Sequence, residues 1–285
     1  MLGYTEFSPR PPLDQFIRCF WFLKTDAEDL GGASQKILPD GCMEIVIHIG
    51  APFRRIRNNA ARKQAAAFLV GQLTECFVLE ESASAHVMGV RFKPAGASLI
   101  VPFDLSEIQN QEITLECLWG STGRSLQDAL IDANSDDERM RIFESFLLRR
   151  SGGRVVDPRI AEAVRLIERK QGRITVSEIS DCVGWSARQL ERQFLWKIGL
   201  GPKALSRTIR FQTLLQIAKS GSRPDWAALA LDCGFFDQAH LIREFKRFSG
   251  EPPEVFLGQG YTLYEFFALY EAMTDFSNTR DVALQ

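Results

Sequence analysis

The sequence predicts an α+β protein with two domains, a strand-rich N-terminal domain of sandwich or barrel type followed by an all-α domain with two helix-turn-helix units. Three features of the chain lead to this fold class. Short runs with apolar residues at every second position occur before residue 118, helical spacing replaces them from about Ser125, and one helical pattern occurs twice after residue 170. The chain has 285 residues, 45% of them hydrophobic, so it can bury two cores.

Four runs in residues 1–118 have the alternation of β-strands. In the run that starts at Met43, every odd-numbered residue through Ile49 is apolar, and the run follows a turn at Pro39-Asp40-Gly41. The predicted strands are Ile17–Leu23, Met43–Ile49, Cys76–Leu79 and His86–Phe92. Several short strands separated by turns are typical of a sandwich or a small barrel. The segment Arg54–Lys63 is polar and basic, and we expect a loop there.

Gly152 and Gly153 form the clearest linker in the chain, because they follow a helical segment with Phe143 and Phe146 on its apolar side. The predicted parts are a strand-rich domain (1–118), a helical connector with the linker (119–153), a helix-turn-helix domain (154–257) and a C-terminal tail (258–285). The tail has apolar residues at helical spacing, which predicts one amphipathic helix.

Several classes of protein and site find no support in the sequence. The six cysteines contain no CxxC pair and the three histidines are isolated, so we expect no metal site. GxSxG, Walker-type and GxGxxG sequences are absent, and we expect neither enzyme activity nor a cofactor. The start of the chain does not look like a secretory signal, and no apolar stretch reaches about 18 residues. We therefore expect a cytoplasmic protein without a membrane partner.

Charge is unevenly divided along the chain, although the total is only −2. Residues 154–257 hold 17 Lys and Arg against 12 Asp and Glu, a net charge of +5, whereas residues 1–153 carry −4 and residues 258–285 carry −3. A basic segment in an otherwise acidic chain points weakly to nucleic acid, and ordinary variation in composition explains it equally well.

The strongest signal is an internal repeat, present at residues 179–194 and again at 229–245. The aligned pairs are Ser180 with Ala230, Gly184 with Gly234, Trp185 with Phe235, Leu190 with Leu241, Arg192 with Arg243 and Phe194 with Phe245. Each copy has a small residue where two helices cross, a glycine for the turn, and a capping residue (Ser186 or Asp237) before the second helix. This is the helix-turn-helix pattern. A helical bundle with a repeated hairpin explains the apolar positions but not the outward ones.

A single helix is predicted between the two copies. Pro202 is suited to its first turn, and the helix should end near Lys219. About 18 residues of helix span roughly 27 Å. A rigid spacer of this length fits two reading helices placed in successive major grooves, which lie about 34 Å apart.

The outward faces of the second helices carry side chains suited to reading DNA bases. Arginine can donate two hydrogen bonds to guanine, glutamate can accept from cytosine, glutamine can pair with adenine, and alanine can touch a thymine methyl. The base-reading candidates are Arg188, Glu191, Arg192, Gln238, Ala239, His240 and Arg243. The phosphate-contacting candidates are Ser186, Lys197, Lys203, Arg207, Arg210, Lys246 and Arg247. For each basic residue, a solvated surface charge is an equally good interpretation.

The segment Ile174–Phe256 resembles the DNA-binding domain of AraC/XylS-family bacterial transcription regulators. The residues that carry the resemblance are Ile174-Thr175-Val176, Gly184-Trp185-Ser186, Phe194, Gly201-Pro202, Arg210, Ala230, Gly234-Phe235, Asp237-Gln238, Phe245-Lys246-Arg247-Phe248 and Gly250-Glu251-Pro252-Pro253. The resemblance implies two helix-turn-helix units, bridged by one long helix, that read adjacent segments of double-stranded promoter DNA. The chain departs from the family pattern at Leu195-Trp196, where a basic residue is usual, and at His240-Leu241-Ile242, so no base preference is transferred.

Residues 1–118 resemble, more weakly, the N-terminal domains with which such regulators sense a small molecule, pair subunits, or do both. Trp21, Glu44 and Arg91 are candidates for a ligand site, and core packing is the alternative interpretation of this region. The sequence thus predicts a transcription regulator with a small-molecule effector, and leaves contacts with RNA polymerase and a homodimer open. The rival hypotheses are a small-molecule enzyme and an adaptor whose helical domain binds a protein partner.

Overall fold

A computed structural model describes residues 3–25, 34–57, 60–80, 84–220 and 225–258. Within these ranges, ten strands form two antiparallel sheets in the N-terminal part. The strands are β1 Gly3–Phe7, β2 Ile17–Thr25, β3 Gln35–Ile37, β4 Glu44–His48, β5 Arg54–Arg57, β6 Ala60–Lys63, β7 Ala67–Val70, β8 Phe77–Glu80, β9 Ala85–Phe92 and β10 Glu112–Thr114. A six-stranded sheet has the order β1-β2-β9-β4-β7-β10, and a four-stranded sheet has the order β3-β8-β5-β6. The predicted architecture, strands first and helices after them, is confirmed.

The helices follow the strands. They are α1 Leu115–Trp119, α2 Ser121–Asp132, α3 Asp136–Ser151, α4 Pro158–Arg169, α5 Val176–Val183, α6 Ala187–Ile198, α7 Pro202–Ser220, α8 Trp226–Asp232, α9 Gln238–Ser249 and α10 Pro253–Gly258. Short 3-10 helices at Gly96–Leu99 and Leu105–Ile108 lie between the last long strand and β10. The amphipathic helix predicted in the tail lies outside the described residues.

The six-stranded sheet is buried on both faces, and β2 shows how. Successive side chains of a strand point to opposite faces. Phe20 and Phe22 belong to a core shared with α1, α2 and α3, whereas Trp21 and Leu23 belong to a core between the two sheets. Because Phe20 also meets Phe143 of α3 at 6.4 Å between ring centroids, the connector helices and the sheet form one packed unit.

The four predicted strands are confirmed as β2, β4, β8 and β9, each within a few residues of its expected bounds. The expected loop at Arg54–Lys63 is wrong, because this segment forms the antiparallel hairpin β5–β6. The strands were missed because the charged residues of this segment do not alternate with apolar ones. Arg55 explains how a charged residue is accommodated, since its guanidinium lies 4.1 Å from the centre of the Phe77 ring and donates to Glu112 at 3.0 Å.

Two hydrophobic cores hold the helical domain, one for each helix-turn-helix unit, and α7 contributes to both. Leu205 of α7 packs in the first core, and Phe211, Leu214 and Leu215 pack in the second. The other main members are Ile167, Ile179, Leu190, Phe194 and Ile198 in the first core and Leu229, Leu241, Phe245, Phe248 and Phe256 in the second. A 19-residue helix of this kind is about 28 Å long and forms a common wall for both units.

The two parts of the chain also share these cores. Ala95, from the N-terminal part, packs in the core of the first unit, and Leu38 packs in that of the second. Gln109 Nε2 donates to Gly199 O at 2.5 Å, just after α6. The helical domain is therefore seated directly on the N-terminal part. No helix of the described residues is long and apolar enough to cross a membrane.

Candidate nucleic-acid interface and ligand cavity

The first helix-turn-helix unit is closed by a glycine turn and a capped helix. Gly184 ends α5 with a φ of +67°, a conformation that residues with a Cβ rarely adopt, and a Cβ there would meet no atom within 4 Å. Backbone conformation, and not lack of space, therefore requires glycine. Trp185 N donates to Ser180 O at 3.2 Å across the turn. Ser186 Oγ then accepts from Gln189 N at 3.2 Å and caps α6.

The second unit repeats this geometry. Gly234 has a φ of +72°, and Phe235 N donates to Ala230 O at 2.8 Å. Asp237 Oδ1 accepts from His240 N at 2.6 Å and caps α9. The pairing of glycine, aromatic and small residues that the sequence repeat predicts is therefore confirmed in atomic detail.

The helices α6 and α9 present polar side chains to solvent. The exposed residues on their outward faces are Ala187, Arg188, Glu191, Arg192, Gln238, Ala239 and Arg243. In the described part of the chain, no side-chain hydrogen bond or ion pair holds the guanidinium groups of Arg188, Arg192 and Arg243. These three guanidinium groups are free to donate hydrogen bonds to an external acceptor.

Two base-reading candidates are held by their own domain. The carboxylate of Glu191 lies against Gly201 at the N-terminus of α7, where the helix dipole stabilises a negative charge. His240 is half-buried, its Nδ1 accepts from Phe236 N at 3.3 Å, and its ring stands edge-on to Phe235 with centroids 5.5 Å apart. Only Nε2 of this histidine is left to face a partner.

The phosphate-contacting candidates divide into two groups. Lys203, Lys246 and Arg247 are exposed, and Lys197 is half-buried at the end of α6. Arg207 instead makes a two-pronged ion pair with Glu244 of α9, with Nε and Nη2 at 2.5 and 2.6 Å from the carboxylate oxygens. Its charge is thus neutralised within the domain.

Arg210 is also engaged internally. Its Nη1 donates to Gly234 O at 3.1 Å and its Nη2 to Gly172 O at 2.8 Å, so one guanidinium joins the turn of the second unit to the loop before α5. Arg173 makes a parallel link, donating from Nη1 to Asp232 O at 2.9 Å. The carbonyls at the C-terminal end of α8 carry partial negative charge that favours arginine. Together these contacts fix the second unit against the first.

A cavity of about 100 Å³ lies between the two sheets. Its wall is mostly apolar and aromatic, with side chains that include Trp21, Phe53, Phe68 and Phe77. Its polar lining comes from Lys36, Asp40, Glu44, Gln64, Arg91 and Gln212. The three ligand candidates of the sequence, Trp21, Glu44 and Arg91, are therefore brought together on one wall. An apolar cavity with a few converging polar groups is the usual form of a small-molecule site.

A buried ion pair forms the charged end of this cavity. Glu44 and Arg91 face each other across β4 and β9, and Arg91 Nε donates to Glu44 Oε1 at 2.5 Å. Burial raises the pKa of Glu44, and the neighbouring Asp40 adds to this while Arg91 opposes it. Burial disfavours the Arg91 cation, but Glu44 and Asp40 outweigh it and raise the pKa of Arg91 above its usual value. The surroundings of the pair are thus rich in negative charge.

The segment Lys36–Cys42 lies between much of the cavity and the helical domain, and Gln212 of α7 reaches the lining beside it. On its cavity side it contributes five lining residues. On its other side, Lys36 Nζ pairs with Glu251 at 2.6 Å, Pro39 O accepts from Gln212 Nε2 at 2.6 Å, and Leu38 packs in the core of the second unit. One short segment therefore touches the cavity and the long helix α7 at once.

Comparison with known proteins gives the helical domain its family. Residues 179–259 match the family described as a helix-turn-helix domain. The chain carries an AraC-type helix-turn-helix domain. The resemblance to AraC/XylS regulators is thereby confirmed for this domain. Residues 5–114 match a family described only as a domain of unknown function, DUF6597.

A curated relative supports the same assignment. The uncharacterized HTH-type transcriptional regulator YbfI of Bacillus subtilis is 34% identical over 68 residues, and the match covers 24% of each chain. The chain therefore aligns with only about a quarter of the length of this relative.

Comparison with solved structures finds matches of low similarity. ToxT from Vibrio cholerae is 13% identical, with a TM-score of 0.45 over 79% of this chain and 96% of its own. A ToxT structure with bound unsaturated fatty acid is 14% identical, with a TM-score of 0.40 over 83% and 94%. The AraC-like activator CuxR is 13% identical, with a TM-score of 0.26 over 78% and 88%. At these values the likeness says nothing of what this chain binds.

One outward residue of the AraC-type domain was missed by the sequence analysis. Phe236 is 85% exposed in the turn just before α9, beside Asp237. An exposed aromatic residue at the start of a helix that entered the major groove would be suited to apolar contact with a thymine methyl. The position lies one residue beyond the aligned pair of Trp185 and Phe235, and the inserted residue of the second copy was the available signal.

Replacing Arg210 with methionine should destabilise the AraC-type domain without any DNA present. The substitution keeps the apolar stem but removes both donors to Gly172 O and Gly234 O, which should lower the free energy of unfolding by about 2 kcal/mol in urea titrations. Lys203→Met, on the exposed side of the same helix, is the matched control and should stay within about 0.5 kcal/mol of the parent. An Arg210→Met variant that keeps full stability and only loses salt-dependent duplex binding would restore the phosphate-contacting role.

His48 should make the protein less stable in mild acid. Burial lowers the pKa of His48 from 6.5 to about 4, and its Nε2 faces Gln64 Oε1 at 3.2 Å. Below pH 6.5 His48 is protonated in the unfolded chain but stays neutral in the folded chain. The free energy of unfolding therefore decreases as the pH falls from 6.5 towards 4. Between pH 6.5 and 5 the contribution of this residue is roughly 2 kcal/mol. His48→Gln should remove this part of the pH dependence in urea titrations, and an imidazole NMR titration with a midpoint near 6.5 would contradict the assignment.

Proposed function

We propose that this chain is a sequence-specific DNA-binding regulator of transcription, in which α6 and α9 read bases and the N-terminal part binds a small-molecule effector. The observation that carries the proposal is the repeated turn-and-cap geometry, which ends in two helices with unpaired arginines on their exposed faces.

The reading residues divide by what the geometry leaves free. Arg188 and Arg192 on α6 and Gln238 and Arg243 on α9 are the main base-reading residues, with Ala239 and Phe236 for apolar contacts. Lys197, Lys203, Lys246 and Arg247 serve phosphates, together with the backbone N–H groups of the first turn after Ser186. Glu191 and His240 act from fixed positions, and Arg207 and Arg210 stabilise the domain that presents the others.

The two reading helices act as one unit. They share α7, and the contacts of Arg173, Arg207 and Arg210 join the elements on either side of it. The length of α7, about 28 Å, approaches the spacing of successive major grooves. Both reading helices can therefore bind to one face of a duplex.

Replacing Arg192 or Arg243 with alanine should weaken binding to the cognate duplex by about 1–3 kcal/mol and relax the base preference at one position. Lys246→Ala should instead weaken binding to all sequences alike and reduce the salt slope by about one unit. Binding is measured by fluorescence anisotropy on duplexes selected from a random library, at several salt concentrations. Arg165→Ala, on an exposed face of α4 beside Glu162, is the control and should bind like the parent.

Two results would count against this assignment. Wild-type affinity and base preference in both Arg192→Ala and Arg243→Ala would show that these helices do not read the duplex. A full-length protein without any salt-dependent binding to duplex DNA would favour the adaptor hypothesis, in which the helical domain binds a protein.

The cavity and the segment that borders it support the effector proposal. A cavity of about 100 Å³ is smaller than the roughly 150 Å³ that hold benzene in an engineered protein core. A larger ligand must therefore displace part of the lining. The segment Lys36–Cys42 is the part of the wall that contacts α7 through Gln212, and the residues between α9 and α10 through Glu251. We assign it the role of passing effector binding to the reading helices.

Gln212→Met should loosen this connection while leaving the outward faces of α6 and α9 unchanged. The variant loses the hydrogen bond to Pro39 O, so amide hydrogen exchange at Asp40, Gly41 and Cys42 should become several-fold faster. Gln216→Met, one turn further along α7, is the matched control and should exchange like the parent. Unchanged exchange in Gln212→Met would mean that the segment is held independently of α7.

A further inference from the structure

The cavity between the sheets differs in its charge balance from a site built for an anion. Both of its cations already have carboxylate partners at short range, Arg91 with Glu44 at 2.5 Å and Lys36 with Glu251 at 2.6 Å. Asp40 is the additional carboxylate on the lining. An entering anion would therefore have to displace an existing carboxylate from a buried pair, which is costly because it leaves that carboxylate unpaired.

Asp40 has one carboxylate oxygen available to a ligand. Its Oδ1 accepts from Cys42 N at 2.9 Å, which fixes the side chain, and its Oδ2 faces Arg91 Nε at 3.7 Å. That separation exceeds hydrogen-bond length, so Oδ2 retains the capacity to accept from a donor in the cavity. Glu44 lies on the same side, four residues along the chain, and shares Arg91 with it.

The surroundings add negative charge to this end of the cavity. Tyr4 donates from its hydroxyl to Glu6 at 2.5 Å, and the Tyr4 ring lies 6.1 Å from Trp21, so a further carboxylate stands behind the indole that lines the wall. Burial raises the pKa of Glu44, Arg91 opposes this, and the negative charges of Asp40 and Glu6 raise it further. The charges of these two carboxylates also favour an additional positive charge at this end of the cavity.

The rest of the lining suits the apolar part of a positively charged ligand. Trp21, Phe53, Phe68 and Phe77 supply aromatic faces. The volume of about 100 Å³ is below the roughly 150 Å³ that hold benzene, so a ligand with one ring enters only as part of the lining moves outward. Aromatic faces attract cations as well as apolar groups. Carboxylates at one end and aromatic rings around the remainder form complementary halves of one site.

We infer that the effector is a small apolar molecule with a protonated amine, bound with its ammonium group at Asp40 and Glu44 and its ring among the aromatic side chains. This inference rests on the proposed effector function of the cavity and specifies the class of ligand. The Asp40 and Glu44 carboxylates determine specificity for charge, and the aromatic wall determines size.

Three probes of nearly equal size test the charge preference with the full-length protein at pH 7. They are benzylamine, benzyl alcohol and benzoate, and binding is measured by isothermal titration calorimetry and by ligand-observed NMR. The ammonium probe should bind about tenfold or more tightly than the alcohol, since a hydrogen bond to a charged partner is worth roughly one to two factors of ten. Benzoate should bind more weakly than the alcohol.

Isosteric variants locate the preference. Asp40→Asn keeps the acceptor for Cys42 N and removes the charge. The dissociation constant of benzylamine should then lie within about threefold of that of benzyl alcohol. Glu44→Gln tests the second carboxylate independently. Glu80→Gln, on β8 beside Arg54 and outside the lining, is the matched control and should bind all three probes like the parent. Binding of benzyl alcohol should be nearly unchanged in Asp40→Asn, which shows that the variant is folded and its cavity intact.

The outcomes separate this inference from the function on which it rests. Tightest binding of benzoate, an unchanged preference in both Asp40→Asn and Glu44→Gln, or no binding of any probe would overturn the ligand class, whatever the protein does with DNA. A protein that binds benzylamine in the expected order but does not bind duplex DNA would support the ligand class and overturn the role as a regulator.

Discussion

The guanidinium of Arg210 holds the geometry on which the helical domain depends. It donates to Gly172 O, in the loop before α5, and to Gly234 O, in the turn of the second helix-turn-helix unit, so the planar fork of one side chain joins segments 62 residues apart. A lysine could not span both carbonyls with a fixed angle. Arg173 repeats the link at Asp232 O, and the two arginines together satisfy carbonyls at the end of α8. The separation of α6 and α9 follows from these contacts and from the shared helix α7.

The same helix connects this arrangement to the N-terminal part. Gly41 lies against the α7 side chains of Leu205 and Ile209, and Gln212 reaches Pro39 O one turn further on. Close-packed interiors transmit displacement because they have little free volume. The segment Lys36–Cys42 therefore cannot move away from a filled cavity without changing its contacts with α7.

Sequence reasoning succeeded where the signal is local. Gly184, Gly234 and their capping residues are determined by turn chemistry within about ten residues, and the repeat made them visible. It missed the hairpin at Arg54–Lys63, because Arg55 is stabilised by Phe77 and Glu112 from other strands.

The internal partners of Arg207 and Arg210 could not be predicted for the same reason. An arginine on a helix gives the same sequence pattern whether it binds a phosphate or a carbonyl of a distant turn. The cavity was anticipated only through Trp21, Glu44 and Arg91, since its wall is assembled from strands of both sheets and from Gln212 of α7.

The energies involved are small enough for a ligand to act through them. The contacts between the segment Lys36–Cys42 and the helical domain include one neutral hydrogen bond and one partly buried ion pair, each worth on the order of 1 kcal/mol in net stability. A ligand shifts a conformational equilibrium by its difference in affinity for the two states, and a coupling of 1–3 kcal/mol is typical. Because α7 belongs to the cores of both units, a shift of this helix would act on both reading helices together. DNA binding through two coupled helices changes more steeply with such a shift than binding through one.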